Sequence, residues 1–308
     1  MKGTVVTAMG RFYTVEKDGT QMNCGLRGRI RKDPALRRYS EPVAVGDLVD
    51  FSINDDGETG TIEEILDRTN VFTRKDRGRR REDLIAANLD QIVIIQSFST
   101  PKLNLRFVDR LIVRGMKEGI PAIVCVNKAD LAGRKDIEQV RSYYSGTDQP
   151  LFFTSAKTGR SLKDFSREVR GRLSILTGSS GVGKSTILNA LFPGLNLRTS
   201  EVSASTGKGR HTTTNVSMVN VGDGTRLIDT PGLREFGLMD IEPEQLGSYF
   251  FEFPEYAHNC AFSPCTHDHE PDCEVKRQVE KGTIHEERYI SYLNILYSLK
   301  EYYGNRYK

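Results

Sequence analysis

Long apolar runs are missing from this 308-residue chain, and none approaches the roughly 18 residues that a membrane-crossing helix needs. Its first residues, MKGTVVTAMGRF, also lack the apolar centre of a secretory signal. These absences predict a cytoplasmic protein with no membrane partner. Cysteine is scarce: there are five, and three of them (Cys260, Cys265, Cys273) crowd together with His267. Without an export signal, that grouping favours a metal over disulfides. Cys125 falls in the apolar run AIVCV and reads as core. An excess of one charge is missing too, since the net formal charge is only +3. The distribution is more informative. Arg27, Arg29, Arg31, Lys32, Arg37 and Arg38 fall in one short stretch, and Arg74, Lys75, Arg77, Arg79, Arg80 and Arg81 in another. Clusters of that density can track a phosphate backbone. The plainer alternative is a solvated loop.

The length suits two or three domains. Residues 1–70 read as short strands (Thr4–Thr7, Phe12–Glu16, Val45–Ile53, Gly60–Ile65) broken by turn pairs such as Asp18-Gly19 and Asp56-Gly57. A small sheet of that kind hides its edges by closing, so an OB-fold β-barrel is expected, with the basic stretch 27–38 as one of its loops. Residues 71–236 alternate apolar strands (DQIVIIQSF, IPAIVCVNKAD, LFFTSAK, RLSILTG, VSMVNV, TRLIDT) with helical segments. One such segment carries Val108, Leu111 and Ile112 on a single face. This pattern predicts a multidomain α/β protein whose second unit is a mostly parallel sheet covered on both faces. Residues 237–308 read as helical around the cysteine cluster. The last helix is expected to open at Thr283, with Glu286 closing a capping box and Ile290, Leu293 and Leu296 forming its apolar stripe.

GSSGVGKST, from Gly178 to Thr186, matches the P-loop pattern and sits between a strand and a helix, the context it requires. Glycines let the backbone wrap so that its N–H groups converge on phosphate oxygens, and the following helix adds its positive end. Lys184 would meet the β- and γ-phosphates, and Ser185 would offer its hydroxyl to Mg²⁺. DTPG, Asp229–Gly232, ends a strand downstream. Asp229 suits Mg²⁺, and the Gly232 N–H suits the γ-phosphate; alone, the tetrapeptide is also an ordinary turn motif.

NKAD, Asn127–Asp130, selects the base. Guanine offers an N1–H and a 2-amino group, which the Asp130 carboxylate can accept together, whereas adenine would leave that carboxylate unpaired. Asn127 can bond N7 or O6 or tie loops together, and the Lys128 stem can cover the base. TSAK, Thr154–Lys157, would turn backbone N–H groups, chiefly that of Ala156, toward guanine O6. The nucleotide set is then Asn127, Lys128, Asp130, Ser155, Ala156, Lys157, Gly178, Ser179, Ser180, Gly181, Val182, Gly183, Lys184, Ser185, Thr186, Asp229 and Gly232.

The order of these motifs is the most diagnostic feature. Ordinary small GTPases place the P-loop first and the base-reading loops last; here NKAD and TSAK precede the P-loop, and DTPG follows it. The circular permutation sends Leu233–Gly237 straight into the C-terminal module, so this segment is expected to carry nucleotide state there. Between P-loop and DTPG, TSEVSASTGKGRHTTT reads as a switch loop that closes a threonine on Mg²⁺. Thr213 is the choice, with Thr212 and Thr214 as alternatives. Leu233 stands where many GTPases carry a water-orienting glutamine. His211 is a candidate to position that water, or else a plain loop histidine. The catalytic candidates are Lys184, Thr213 and His211; Mg²⁺ would be held by Ser185, Thr213 and Asp229.

Cys260-x₄-Cys265-x-His267-x₅-Cys273 offers three thiolates and an imidazole, a closed tetrahedral set for one structural Zn²⁺. His258 and His269 compete as ligands, and free thiols are the alternative.

Together, the basic barrel, the motif order NKAD, TSAK, GSSGVGKST, GRHTTT, DTPGLREFGL and the cysteine cluster resemble the RsgA (YjeQ/YloQ) family of circularly permuted bacterial GTPases over essentially the whole chain. The resemblance implies an OB-fold, a permuted GTPase domain and a zinc-bearing helical domain. It also implies GTP hydrolysis stimulated by the small (30S) ribosomal subunit, a role in late subunit maturation alongside other assembly factors, and rRNA binding through the basic barrel loop (Arg27, Arg29, Arg31, Lys32, Arg37, Arg38). Nothing in the sequence demands more than a monomer. Two rival readings are a GTPase regulated by a non-ribosomal partner and an RNA-binding factor that uses GTP only as a ligand.

Overall fold

The structure, a computed structural model, describes residues 1–10, 12–74, 81–195, 216–229, 237–238 and 240–306. The chain opens with strands β1 (Lys2–Met9), β2 (Phe12–Lys17) and β3 (Thr20–Leu26), then a short helix α1 (Gly28–Lys32), β4 (Leu48–Ile53) and β5 (Thr59–Ile65). Asp18 and Gly19 both take positive φ (50° and 78°), the type I′ geometry that matches strand twist, so β2 and β3 turn back in two residues. Pairing runs β1–β2–β3 antiparallel, β3–β5 parallel and β5–β4 antiparallel, and β4 returns to β1. The five strands thus close a barrel of OB-fold type around Val5, Tyr13, Val15, Val49, Phe51 and Ile62.

Two local expectations change. The strand expected from Val45 starts only at Leu48, because Gly46 (φ 94°) and Asp47 form a turn, with Asp47 accepting the Ala44 N–H at 2.8 Å. The basic stretch 27–38 is not simply a loop. It holds α1 and a 3₁₀ turn, Pro34–Leu36, whose first N–H groups are capped by Asp33 accepting from Ala35 N at 2.9 Å.

A hairpin, β6 (Val71–Arg74) and β7 (Asp83–Ala87), leads into the second unit. There follow β8 (Gln91–Ser97), α2 (Leu105–Glu118), β9 (Ala122–Asn127), α3 (Arg134–Tyr143), β10 (Leu151–Phe153), α4 (Leu162–Val169), β11 (Leu173–Thr177), α5 (Lys184–Leu191), β12 (Val216–Gly222) and β13 (Thr225–Asp229). The spatial order is β10-β9-β8-β11-β13-β12, parallel except for β12. Alternate residues of β8 serve opposite faces: Ile92 and Ile94 join one core, Val93 and Ile95 the other, the expected signature of a strand covered on both sides. The outer side of β12 pairs with β1 (Thr7 with Ser217, Ala8 with Val216), so barrel and sheet form one eleven-stranded surface.

The remaining chain contributes a 3₁₀ segment, Pro243–Tyr249, and helices α6 (Pro254–Ala257), α7 (Glu274–Glu280) and α8 (Glu286–Arg306). These pack over α2 and α3, sharing one core with that face of the sheet. The last helix differs from expectation in two ways. Thr283 does not cap it, because its N–H is donated to Gln278 O at 2.9 Å and so ends α7. His285 opens α8 instead, its Nδ1 accepting from Glu287 N at 3.2 Å. The buried face is Arg288, Ser291, Tyr292, Ile295, Leu296 and Leu299, whereas Ile290 and Leu293 are only half-buried. Arg288 and Ser291 can lie there because Asp109 of α2 receives both, with Ser291 Oγ at 2.5 Å, together with the hydroxyls of Tyr143 and Tyr144. Arg288 Nε also donates to Glu252 at 2.7 Å. Among the described residues no helix is long and apolar enough to cross a membrane.

Candidate nucleotide and metal sites

The loops of interest leave the carboxyl ends of neighbouring strands. Gly178 follows β11, and a Cβ there would lie 2.2 Å from Ile95 O. At Gly183 (φ 95°) a Cβ would lie 2.4 Å from Asn127 Nδ2. The P-loop is therefore wedged against β8 and against the base-reading loop, and only glycine admits that approach. Lys184 and Ser185 open α5 and are both buried. Lys184 Nζ donates to Gly178 O at 2.6 Å and to Ser179 O at 3.3 Å, which holds the ammonium at the mouth of the loop. Asp229 ends β13 directly opposite Leu176, beside the root of the P-loop. A hydroxyl and a carboxylate are hard oxygen donors of the kind Mg²⁺ takes, so Ser185 and Asp229 fit that ion.

Asn127 ends β9 and is buried. Its Nδ2 donates to Val182 O at 2.9 Å, across 55 residues of sequence, and its Oδ1 accepts from Ala156 N at 3.2 Å. One amide thus fastens the NKAD, TSAK and P-loop segments together. The Ala156 N–H, expected to face guanine O6, is given to Asn127. Lys128, at φ 59°, donates to Gly181 O at 2.8 Å and also to Thr100 O. Asp130 is exposed. The Ser155 hydroxyl, and Lys157 at longer range, hold its carboxyl below the usual carboxylate range. It is therefore ionised and purely an acceptor at neutral pH, as the two donors of guanine require.

The sequence reading missed the turn at Thr100–Pro101, which supports Lys128 and approaches Gly181; a proline just past a buried strand was its only signal. It also missed Arg114 and Asp240, which are bonded across 126 residues and carry no local pattern. His211, Thr212, Thr213, Thr214, Gly232 and Leu233 lie outside the described residues.

In the C-terminal module Cys260 Sγ, Cys265 Sγ, His267 Nδ1 and Cys273 Sγ all lie within 4.8 Å of one another. Cys260 and Cys273 are 3.8 Å apart, and His267 Nδ1 is 3.4 Å from Cys273 and 3.7 Å from Cys260. About 3.8 Å is the sulfur–sulfur edge of a tetrahedron whose ligands stand about 2.3 Å from a central Zn²⁺. Burial pushes the Cys265 thiol up to about 12 and raises that of Cys273, so thiolates here need a cation beside them. His258 and His269 are exposed and stand outside the cluster. The loop is clasped by α8, since Tyr289 Oη donates to His267 O at 2.7 Å and Tyr292 Oη to Thr266 O at 2.6 Å.

Arg27, Arg29, Arg31, Lys32, Arg37 and Arg38 are all exposed on the barrel. Most have partners at the surface: Arg27 stands 3.5 Å from Glu63, Arg29 donates to Glu63 O at 2.9 Å, Arg31 stands 3.8 Å from Glu41, Arg37 donates to Lys32 O at 3.4 Å, and Arg38 stacks on Tyr39 at 4.6 Å and bonds its hydroxyl. In the second basic stretch Arg74 is buried against Asp83 at 3.1 Å, and 75–80 lie outside the described residues.

Comparison with known proteins agrees with this arrangement. The family pattern described as RsgA GTPase matches residues 65–239, and that of the RsgA N-terminal domain matches residues 2–62. A protein of Chlorobaculum parvum named small ribosomal subunit biogenesis GTPase RsgA is 40% identical over 310 residues, covering 98% of this chain and 99% of its own. A protein of Phocaeicola vulgatus with the same name is 38% identical over 306 residues, covering 98% of each chain. The crystal structure of YjeQ from Thermotoga maritima superposes with a TM-score of 0.77 at 34% identity, covering 97% of this chain and 98% of its own. That of YloQ, described as a circularly permuted GTPase, superposes at 0.72 and 29% identity, covering 97% and 95%. A P-loop tied to the NKAD loop that precedes it, an OB-fold barrel ahead of them and a Cys₃His cluster behind them agree with these matches: this chain is a GTPase that belongs to the RsgA family.

Proposed function

We propose that the protein hydrolyses GTP to drive late maturation of the small (30S) ribosomal subunit in the cytoplasm, acting as a monomer whose activity the subunit stimulates. The units would be an rRNA-binding barrel (1–70), the permuted GTPase domain (71–236) and a helical domain (237–308) built on one structural Zn²⁺. The observation that carries this reading is the bond from Asn127 to Val182 O, which joins base reader and phosphate cradle into one site. The names of its relatives supply the subunit.

In this reading Asp130 accepts the two guanine donors, the Lys128 stem covers the base, and the backbone N–H groups of Gly178–Thr186 surround the phosphates. Lys184 shifts from the loop carbonyls to the β- and γ-phosphates as nucleotide enters. Ser185, Asp229 and a switch threonine, Thr213, hold Mg²⁺, which when bound neutralises the charge gathering on the β–γ bridge. Water attacks in line with that bridge. With leucine at 233 no side chain there can orient it, so His211 or a group of the subunit does so. The exposed arginines of 27–38 meet rRNA phosphates. Free GDP and phosphate are the products.

Phosphate release from GTP and from ATP, with and without purified small subunits, tests this. A large stimulation confined to GTP is expected. No stimulation, with GTP still selectively bound, would leave the GTPase and remove the subunit from the proposal. Failure to hydrolyse under any condition would favour an RNA-binding factor that uses GTP only as a ligand.

A further inference from the structure

Along β8, Val93 and Ile95 fill one core, and two residues on, where the alternation calls for a third apolar side chain, the strand places Ser97. Ser97 is fully buried, and its hydroxyl donates to Pro101 O at 2.9 Å. A buried hydroxyl costs free energy unless it is bonded. The bond it makes here closes the turn 97–101, which carries the chain from β8 toward α2. Two further contacts pin the start of that turn. Phe98 N donates to Asn127 O at 3.1 Å, and the Phe98 ring stacks on Phe153 of β10 with centroids 5.8 Å apart.

The turn meets the nucleotide site at one ammonium. Lys128, at φ 59°, donates through Nζ to Gly181 O at 2.8 Å and also to Thr100 O. Pro101 Cδ lies 3.5 Å from where a Cβ on Gly181 would stand, so turn and P-loop touch beside that ammonium. A lysine's four-carbon stem is flexible and lies still only when its head is held. One carbonyl leaves the stem free to pivot, whereas two, one from each side, fix its path between them. The P-loop supplies the first. The second depends on the shape of the turn, and among the described residues no backbone hydrogen bond spans 97–101; the Ser97 hydroxyl supplies the closing bond.

We infer that Ser97 is a positioning residue for guanine: by closing the 97–101 turn it aims Thr100 O at Lys128, and so fixes the lysine stem that covers the base. The inference rests on the functional reading above, in which that stem lies on guanine. Ser97 is fully buried beside Asn127, its partner in the β8–β9 ladder, and so acts through Lys128 rather than on the nucleotide. Without its hydroxyl, GDP and GTP both bear the entropy of ordering the stem, since both carry the base. A ligand with phosphates and no base does not.

The test uses the full-length protein with its metal content verified. Displacement of a fluorescent GDP measures affinities for GDP, a non-hydrolysable GTP analogue and inorganic tripolyphosphate, all with Mg²⁺. In Ser97→Ala, GDP and the analogue should weaken together by about fivefold, the scale of one uncharged hydrogen bond, with tripolyphosphate within about twofold of the parent. In steady-state hydrolysis, KM for GTP should rise by the same factor while kcat holds, the signature of lost uniform binding. Lys128→Met removes the ammonium through which Ser97 acts, so adding Ser97→Ala to it should cost less than about twofold more. If tripolyphosphate weakens along with GDP, if the two substitutions are fully additive, or if GDP binding is unchanged in folded Ser97→Ala, Ser97 does not position the stem. Should Ser97→Ala fail to fold, Pro101→Gly loosens the same turn and leaves β8 intact; it must weaken GDP and spare tripolyphosphate, and any other pattern overturns the proposal. A parent protein that binds GDP no more tightly than tripolyphosphate would instead refute the functional reading.

Discussion

Replacing Gly183 with alanine probes the joint on which the nucleotide site depends. Gly183 sits at φ 95°, where an L-residue costs about 1–2 kcal/mol. The added Cβ would also stand 2.4 Å from Asn127 Nδ2. That amide cannot swing away at little cost, for it is 3% exposed, donates to Val182 O at 2.9 Å and accepts from Ala156 N at 3.2 Å. A retreat of about 1 Å is needed to reach normal contact distance. It would break both bonds, each with a net contribution of about 0.5–1.5 kcal/mol. The sum is about 3 kcal/mol against the folded site, felt twice: once in stability and once in the placement of the base reader. Because the chain has no tryptophan, calorimetry or a fluorescent GDP serves for binding, and urea midpoints by circular dichroism serve for stability. We expect GDP to bind at least about tenfold more weakly, with a clear loss of midpoint. Gly194→Ala is the control, since no atom lies within 4 Å of its Cβ position, and it should change stability by less than about 0.5 kcal/mol. If the two variants behave alike, the close approach of Asn127 to the P-loop is wrong.

Three further outcomes follow from the same geometry. If Asp130 accepts both guanine donors as proposed, Asp130→Ala should lower the preference for GTP over ATP in competition binding by about a hundredfold or more; unchanged selectivity would transfer base reading elsewhere. If the Cys₃His cluster holds the proposed Zn²⁺, a strong chelator should leave Cys265 neutral, since burial holds its thiol up to about 12, and should loosen the loop that α8 clasps through Tyr289 and Tyr292. Hydrogen exchange reads this, and full α8 protection in stripped protein would contradict it. Burial would raise the Asp240 carboxyl, but Arg114 and Lys117 outweigh it and hold the group well below the ordinary range. Its stabilisation is therefore complete above the unfolded value near about 3.9 and is lost only as pH falls through the lower folded value. The contribution of Asp240 to the urea midpoint, read against Asp240→Asn, should then stay flat from about pH 7 to pH 5, and a step inside that window would contradict it.

What the sequence disclosed were the features encoded by neighbours. Asp18-Gly19 announces its hairpin because both residues tolerate positive φ, and the strands of the parallel sheet announce themselves because each must be apolar on both faces. Thr283 misled because a capping-box pattern is local while its N–H had a prior partner, Gln278, at the end of α7. The apolar triplet expected for α8 held only in part, for the opposite reason: Leu296 is buried, but Ile290 and Leu293 are half-buried on that helix. Its most buried positions include Arg288, whose partners Glu252 and Asp109 lie 36 and 179 residues away and leave no trace in the pattern around it. For the site, motif identity located the strand-end loops, but the ties between them (Lys128 to Thr100, Arg114 to Asp240) exist only once α2 is folded onto the sheet.

The permuted order is physically permissible because the site depends on the order of strands in space. From β8 the chain proceeds outward to β9 and β10, and from β11 it proceeds the other way to β13. The crevice at β8 and β11 is thus a topological switch point, where loops at strand carboxyl ends diverge and leave room for a ligand. Asn127, Gly178 and Asp229 border it whichever strand comes first. What permutation does alter is covalent continuity. In this chain Asp229 ends the last strand among the described residues, and the next described residues, Gly237 and Leu238, lie against α2. There Arg114 of α2 donates to Gly237 O at 3.3 Å and forks on the Asp240 carboxylate. The same helix carries Asp109, which receives Arg288 of α8. One helix thus holds both the chain that resumes at Gly237 and, through Asp109 and Arg288, the helix that clasps the Cys₃His loop.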